Sequence, residues 1–382
     1  MTILNISEPA IRNNICEIRL RSDSRIIAVI KENGYGIGLV PFYRILKSCG
    51  IDFFAVSSPA EAFALRSAGC EESILLLTPE LSVNVCEKLL AANIILMLGS
   101  LEQADVLKEA SRRSKVIPRI HLAIDTGLGR YGFPWDALEN LRFCTSGMQV
   151  EGCYTHFSTA SRSYVKNIRR QNRRFWHALS TLDAMNIPRG ITHVSESRAF
   201  LSCGDLGCDA IRIGSLLLGC CQKASDAGYQ RAVWLETTLY QKMLRHPGDS
   251  IGYDGTLIRK KDTLIGLVQT GYRDGVFVGR TDTETPLLYQ FLRKSFHRIT
   301  RKKEGHFVLV NGVSVPVIGK IGMNHMLLDL SGGDFLIGDP VRIEVNPLFV
   351  PERVPRVFLS SMEAEKAKPC GVLTGPLGTC PI

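Results

Sequence analysis

The chain has 382 residues, 46 Lys+Arg against 37 Asp+Glu, and a formal net charge of +9. Apolar residues make up 45% and charged residues 22%, ordinary globular usage that excludes a collagen-like chain, a coiled coil and a largely disordered protein. At ~150 residues per domain the length fits two domains, or one large α/β barrel with an addition.

The first 25 residues alternate charged with apolar positions and lack the apolar core of a signal peptide. No stretch reaches the ~18 uncharged apolar residues of a membrane helix, so a cytoplasmic protein with no membrane partner is expected. The twelve cysteines then read as reduced thiols. No Cys-x-x-Cys pair occurs, and adjacent Cys220 and Cys221 are poorly placed for one tetrahedral ion, so no metal site is expected.

From residue 26 to about 225 a short β-branched run, a Gly or polar turn and an amphipathic stretch repeat. Strands are predicted at Arg25–Ile30, Phe53–Val56, Ile74–Leu77, Ile94–Met97, Arg119–Ile124, Glu151–Tyr154, Gly190–Val194 and Ala210–Ile213. Helix-like segments between them include Leu39–Cys49, Pro59–Ala68 and Ser82–Ala92. Eight parallel strands with right-handed helical crossovers form either a doubly wound sheet or a barrel, and eight units in ~200 residues favour a (β/α)8 barrel. Arg169, Arg170, Arg173 and Arg174 make a basic run. It lacks interleaved aromatics, apart from Phe175 and Trp176 just after it, and reads as a solvated helix face, with no nucleic-acid partner.

Beyond about residue 230 the texture changes to short β runs at Val233–Leu244, Thr263–Gln269, His306–Asn311, Val313–Ile318, His325–Asp329 and Pro340–Ile343. Asn311-Gly312 between two alternating runs signals a hairpin. A mainly antiparallel β domain is predicted, with a basic helix at Pro286–Lys303. The expected divisions are residues 1–230, residues 231–358 and a loosely ordered tail over 359–382 that carries Cys370 and Cys380.

Several polar residues sit where a barrel places its chemistry, at the C-terminal ends of strands. Lys31 follows the first strand, as a desolvated nucleophile or as a strand-end lysine reaching solvent. Arg130, in the Gly-rich turn after strand five, can meet a carboxylate or phosphate, or be a surface residue of a structural turn. His156 follows strand six, as a catalyst or a packed residue. Arg212 ends strand eight, facing either an anion or solvent. Ser197 after strand seven, and Gly214 and Ser215 after strand eight, occupy the usual phosphate corner, though an ordinary polar turn reads the same. Tyr253 and Tyr272 lie in Gly-rich turns of the β domain, as acid–base groups or as packing residues.

The string "AVIKENGYGIG" resembles the pyridoxal-phosphate attachment segment of alanine racemases, and the resemblance continues in order through "IDTGLGRYGF", "YTHFS", "DAIRIGSLLLG", "GDSIGYDG", "TGYRDG", "VIGKIGMNH" and "RVPRVF", over roughly residues 1 to 358. It implies a (β/α)8 barrel followed by a β domain, pyridoxal 5'-phosphate as cofactor, and a homodimer with shared active sites. Lys31 would hold the cofactor covalently and be one base; Tyr253, from the other subunit, would be the second. Tyr35, Ser197, Gly214 and Ser215 would contact the phosphate. Arg212 would face the pyridine nitrogen with His156 behind it. Arg130 and the backbone at Met323 would place the substrate carboxylate and Tyr253, and Tyr272 would line the entrance. The implied activity is alanine racemisation. The alternatives are a racemase for serine or a larger or basic amino acid, and a non-catalytic pyridoxal-phosphate-binding or regulatory protein.

Four positions depart from the family pattern. Ala123 stands where many members have a carbamylated lysine that supports the Arg130 position. Glu196 replaces an Asn beside the phosphate-binding Ser, and Glu352 replaces a Tyr at the entrance. Asn324 replaces an Asp.

Overall fold

The computed structural model describes residues 1–158, 164–221, 224–255, 257–278 and 306–360. The helix expected over Pro286–Lys303, and the tail from residue 361 with Cys370 and Cys380, lie outside the described residues. The chain divides into two compact units, Ala10–Ala232 and Met1–Pro9 with Val233 onward.

The first described strand, β1 (Ile3–Ser7), belongs to the second unit. The barrel strands follow: β2 (Arg25–Val29), β3 (Phe53–Val56), β4 (Ser73–Leu76), β5 (Ile95–Leu98), β6 (Arg119–Asp125), the two-residue β7 (Phe133–Pro134), β8 (Gln149–Tyr154), β9 (Ile191–Glu196) and β10 (Ala210–Ile213). Neighbours pair in parallel in the order β5-β4-β3-β2-β10-β9-β8-β6, and β5 also pairs with β6. Among the described residues eight strands therefore close into a parallel barrel, with β7 attached to the end of β6. The alternative of an open doubly wound sheet is excluded by the β5–β6 pairing. These strands are buried on both faces, which is why they read as continuous apolar runs rather than alternating ones. Ile27, Val29, Phe53, Ala55, Leu75, Ile95 and Ala210 fill the interior, so the barrel is a packed core and not a pore.

Helices cross between the strands at Leu39–Ser48, Pro59–Ser67, Val83–Ala91 and Leu101–Ser114. The second starts where Pro at its first position meets a capping box, Ser58 and Glu61 each satisfying the other's backbone N–H.

The second unit contains β11 (Val233–Arg245), β12 (Ser250–Ile251), β13 (Leu257–Ile258), β14 (Thr263–Val268), β15 (Phe307–Val310), β16 (Val313–Ile318), β17 (Met326–Asp329), β18 (Pro340–Ile343) and β19 (Arg356–Leu359). The long strand β11 pairs with β18 and β1 through its first half and with β14 through its second, shifting register between Leu239 and Gln241. Every pairing here is antiparallel except β1 with β19. The predicted hairpin joins β15 to β16, with Asn311 and Gly312 both at positive φ, as a two-residue turn between right-twisted strands requires.

The chain start corrects the expected division. Residues 1–9 were expected in the barrel, yet Ile3 to Ile6 lie against Glu236 to Val233, and Leu4 to Ser7 run beside Arg356 to Leu359. β19 also carries ordered strand one residue past the expected end of the β domain, at Leu359.

One buried side chain closes the barrel unit's first helix onto its last turns. Asn14, fully buried, donates to the carbonyls of Leu217 (3.0 Å) and Gln230 (2.8 Å) and accepts from Gln230 N–H (2.7 Å). Asn14→Leu keeps the volume but strips three backbone groups of a partner. It is expected to cost about 3 kcal/mol. A urea-unfolding midpoint unchanged from wild type would refute this role.

Candidate active site

Lys31 directly follows β2 and is half-buried. The backbone after it does something that few L-residues do. Glu32 (φ 54, ψ 55), Asn33 (φ 53, ψ 49), Gly34 (φ 65, ψ 42) and Tyr35 (φ 55) form one left-handed turn. Each non-glycine residue in that region costs ~1–2 kcal/mol, so the turn persists only because its surroundings hold it. Glu61 supplies most of the hold. One carboxylate oxygen accepts from Asn33 N–H (3.0 Å), and the other accepts from Ser57 and Ser58 N–H (3.0 and 3.1 Å). Asn33 Oδ1 accepts from Leu39 N–H at 2.9 Å, and Glu32 accepts from the Ser57 hydroxyl at 3.2 Å.

The turn carries Tyr35 to the end of β10. A Cβ on Gly214 would lie 2.2 Å from the Tyr35 phenol oxygen, so only glycine allows that approach. Ser197 Oγ accepts from Gly214 N–H (3.1 Å) and Leu216 N–H (3.3 Å). With both lone pairs engaged, its single proton is left to donate. Ser215 Oγ lies 2.9 Å from Cys221 Sγ. The structure thus brings Tyr35, Ser197, Gly214 and Ser215 together in one hydroxyl-rich corner. Glu196 does not spoil it: its carboxylate turns to accept from Arg198 N–H (2.8 Å) and Ala199 N–H (3.0 Å), capping the helix Ser197–Cys203.

Arg212 is 3% exposed, inside the barrel. Its guanidinium donates to His193 Nδ1 (2.7 Å) and to the carbonyls of His193 (2.6 Å), Thr155 (2.7 Å) and Val194 (3.3 Å), and it lies 5.0 Å above the Tyr154 ring. Burial lowers its pKa to about 10, which leaves it charged at neutral pH. Among the described residues, the histidine hydrogen-bonded to Arg212 is His193, a residue the sequence did not mark. His156 lies close enough to feel the same charges: burial first, then Arg212, Arg130 and Lys31, push its pKa down to about 3. It is a neutral imidazole beside three cations.

Arg130 is exposed, 5.4 Å from the Tyr131 ring centre, in a turn whose N–H groups at Gly127, Leu128 and Gly129 all point at the Asp125 carboxylate. Ala123 is buried among Met97, Tyr154 and Leu77. An apolar cluster fills the place where a longer, anionic side chain was considered.

In the β unit, Tyr253, Tyr272 and Met323 are each about half exposed (51%, 51% and 50%). Tyr272 N–H donates to Gly322 O and Arg273 N–H to Met323 O, both at 3.1 Å. Gly271 makes this possible, since a Cβ there would stand 2.2 Å from Gly322 O. Tyr253 lies 5.6 Å from the His325 ring, and its neighbour Asp254 pairs with Lys320. Glu352 is exposed and close enough to Arg356 for its charge to register there. Among the described residues no cluster of His, Cys, Asp or Glu is arranged to hold a metal ion, and no helix is long and apolar enough to cross a membrane.

Comparison with known proteins agrees with this geometry. The family model described as alanine racemase, N-terminal domain, matches residues 6–222, and that described as alanine racemase, C-terminal domain, matches residues 232–346. The chain belongs to the alanine racemase family. An amino-acid racemase of Enterococcus faecalis is 31% identical over 339 residues, 85% of this chain and 44% of that one. A serine/alanine racemase of Enterococcus gallinarum is 29% identical over 344 residues, 86% of this chain and 45% of that one. The chain thus spans less than half the length of these two relatives. A solved alanine racemase of Clostridium difficile superposes with a TM-score of 0.77 at 25% identity, covering 95% of this chain and 96% of that one.

Glu61 lies in the segment Pro59–Ala68 that the sequence marks only as helix-like. Glu61→Ala is expected to cost about 2 kcal/mol through loss of the capping box and of the left-handed turn's anchor. Amide hydrogen exchange should accelerate at Asn33, Ser57 and Ser58 together. Acceleration confined to the helix start would show that the turn does not depend on Glu61.

Proposed function

We propose that the protein is a pyridoxal-phosphate-dependent amino-acid racemase that interconverts L- and D-alanine, a homodimer in which Lys31 of one subunit works opposite the partner subunit's Tyr253. The observation that carries this reading is the corner where Tyr35, Ser197 and Ser215 hydroxyls meet the side-chain-free Gly214, next to a strand-end lysine. Those groups fit a phosphate: Ser197 has only its proton left to offer, Gly214 leaves room for an oxyanion, and the nearest carboxylate, Glu196, is occupied by its helix. When bound, pyridoxal phosphate supplies an electron sink for the negative charge left at the substrate's α-carbon.

The chain's own groups do the rest. Racemisation removes the α-proton from one face and returns one to the other, which takes two proton-carrying groups. In this reading Lys31 Nζ serves one face and the phenol of Tyr253 the other. Arg212 would face the pyridine nitrogen. A guanidinium with its N–H groups already directed at neutral acceptors neither gives nor takes a proton there. Arg212 would thereby leave that nitrogen unprotonated, giving a weaker sink that would restrain side reactions such as transamination. Arg130 would hold the substrate carboxylate.

Tyr253→Phe is expected to lower racemisation by ~10²–10⁴-fold while the visible absorption of the lysine-bound cofactor persists, and Lys31→Ala to abolish both. A Tyr253→Phe protein with full activity would remove the two-base assignment.

Serine is the second reading. It is favoured by the similarity to a serine/alanine racemase. Incubation with a panel of L-amino acids, read by chiral chromatography, separates the two. Alanine is expected to turn over fastest, and a preference for serine or a basic amino acid of about tenfold or more in kcat/KM would replace the alanine assignment.

A further inference from the structure

We propose that His121 is a positioning residue for Arg212, acting through His193 along a one-way hydrogen-bond relay across the barrel interior. The functional part of this inference rests on the reading that Arg212 faces the cofactor ring.

The relay is a product of strand order. His121 lies on β6 and His193 on β9, and β8 runs between them. In the register, His121 is level with Gly152 of β8, and Tyr154 of β8 is level with His193. Gly152 has no side chain to separate the two histidines, and a Cβ there would stand 2.6 Å from the His121 ring. His121 Nδ1 therefore reaches His193 Nε2 at 2.8 Å, and His193 Nδ1 meets the Arg212 guanidinium at 2.7 Å. Tyr154 lies flat on His193, with ring centres 4.9 Å apart and planes 9° from parallel, and the edge of Phe53 meets His121 at 5.8 Å.

The direction of the relay follows from the guanidinium, which can only donate. His193 Nδ1 must accept, so its proton sits on Nε2 and is donated to His121 Nδ1. The proton of His121 is then on its own Nε2, a buried atom with no partner among the described residues. Neither ring can take a second proton without setting two donors against each other. Burial acts in the same sense on both rings, and so do the guanidinium charges: Arg212, Arg119 and Arg25 on His121, and Arg212 on His193.

An apolar residue at 121 would avoid the orphan Nε2–H but would strip His193 of its acceptor. His193 could not escape by moving its proton to Nδ1, because that proton would point at the Arg212 donors. Arg212 thus sets the tautomer of His193, and His121, by accepting the Nε2 proton, holds that ring where its Nδ1 meets the guanidinium. A ligand-orienting partner one step removed from the reacting group commonly matters in this way.

The test joins spectroscopy with kinetics. In the wild-type protein labelled with 15N-histidine, both rings should appear by NMR as neutral Nε2–H tautomers through neutral pH. His121→Leu should disturb the His193 nitrogen shifts, move the cofactor absorption maximum and lower kcat about tenfold, with KM for the amino acid nearly unchanged. His121→Asn places an amide oxygen where Nδ1 was and should restore most of the activity. His121→Gln, whose amide reaches the Nε2 position instead, should restore none. The relay is overturned by an Nδ1–H tautomer or a protonated ring at either histidine, by wild-type kcat in His121→Leu, or by equal impairment of the Asn and Gln variants. A protein that racemises no amino acid would defeat the functional reading alone, because the tautomers are read without turnover. Should His121→Leu fail to fold, the wild-type tautomers and the Asn–Gln contrast still decide the matter.

Discussion

A guanidinium sealed inside a barrel sets the terms for the upper half of this protein. A buried charge is tolerated only where each N–H finds an acceptor. The acceptors for Arg212 come from three consecutive parts of the barrel wall: the carbonyl of Thr155 after β8, those of His193 and Val194 on β9, and the imidazole of His193. Strand spacing, register and the position of Gly152 must all be right for this set to converge.

The same C-terminal rim carries a different kind of constraint. Beside Lys31 the backbone is wound against its natural hand, and Glu61 together with Asn33 and Ser57 holds it there. Strained backbone of this sort concentrates at sites where a side chain must be delivered to a point that relaxed backbone cannot reach. Here the delivered group is the Tyr35 phenol at Gly214. Removal of a side chain at 214 and left-handed winding at 32–35 are two halves of one adaptation, on strands that are neighbours in the sheet although nearly 180 residues separate them in sequence.

Much of this was legible in the sequence, for physical reasons. Strands buried on both faces leave unbroken β-branched runs, so Phe53–Val56 and Ala210–Ile213 coincide with the observed limits. The Asn311-Gly312 turn declares itself because few other pairs accept positive φ twice. Residues at strand ends, Lys31, Ser197, Arg212 and Gly214, were found by position and then by resemblance. What escaped was long-range or conformational. β1 is a short run whose partners lie hundreds of residues away. The handedness after Lys31 was hinted at by Gly34, Gly36 and Gly38, but nothing marked Glu32 and Asn33 as left-handed. His193 is one of several polar residues in its strand, and nothing in the sequence singles it out. Its partnership with His121 depends on a glycine on the strand between them, visible only when the register is known.

The pairing of β1 has a consequence for how the protein is made. Its strand partners are β11 and β19, so the segment Ile3–Ile6 leaves the ribosome ~230 residues before its first partner, and at ~5–20 residues per second it waits roughly 10–50 s with both edges bare. An apolar strand with open edges is a template for association with other nascent chains. All the strands of the barrel are synthesised within that interval. Biosynthesis of this protein therefore has a vulnerable period whose length is set by the size of the barrel, and its yield should respond to translation speed and chaperone supply more than the stability of the finished fold would suggest.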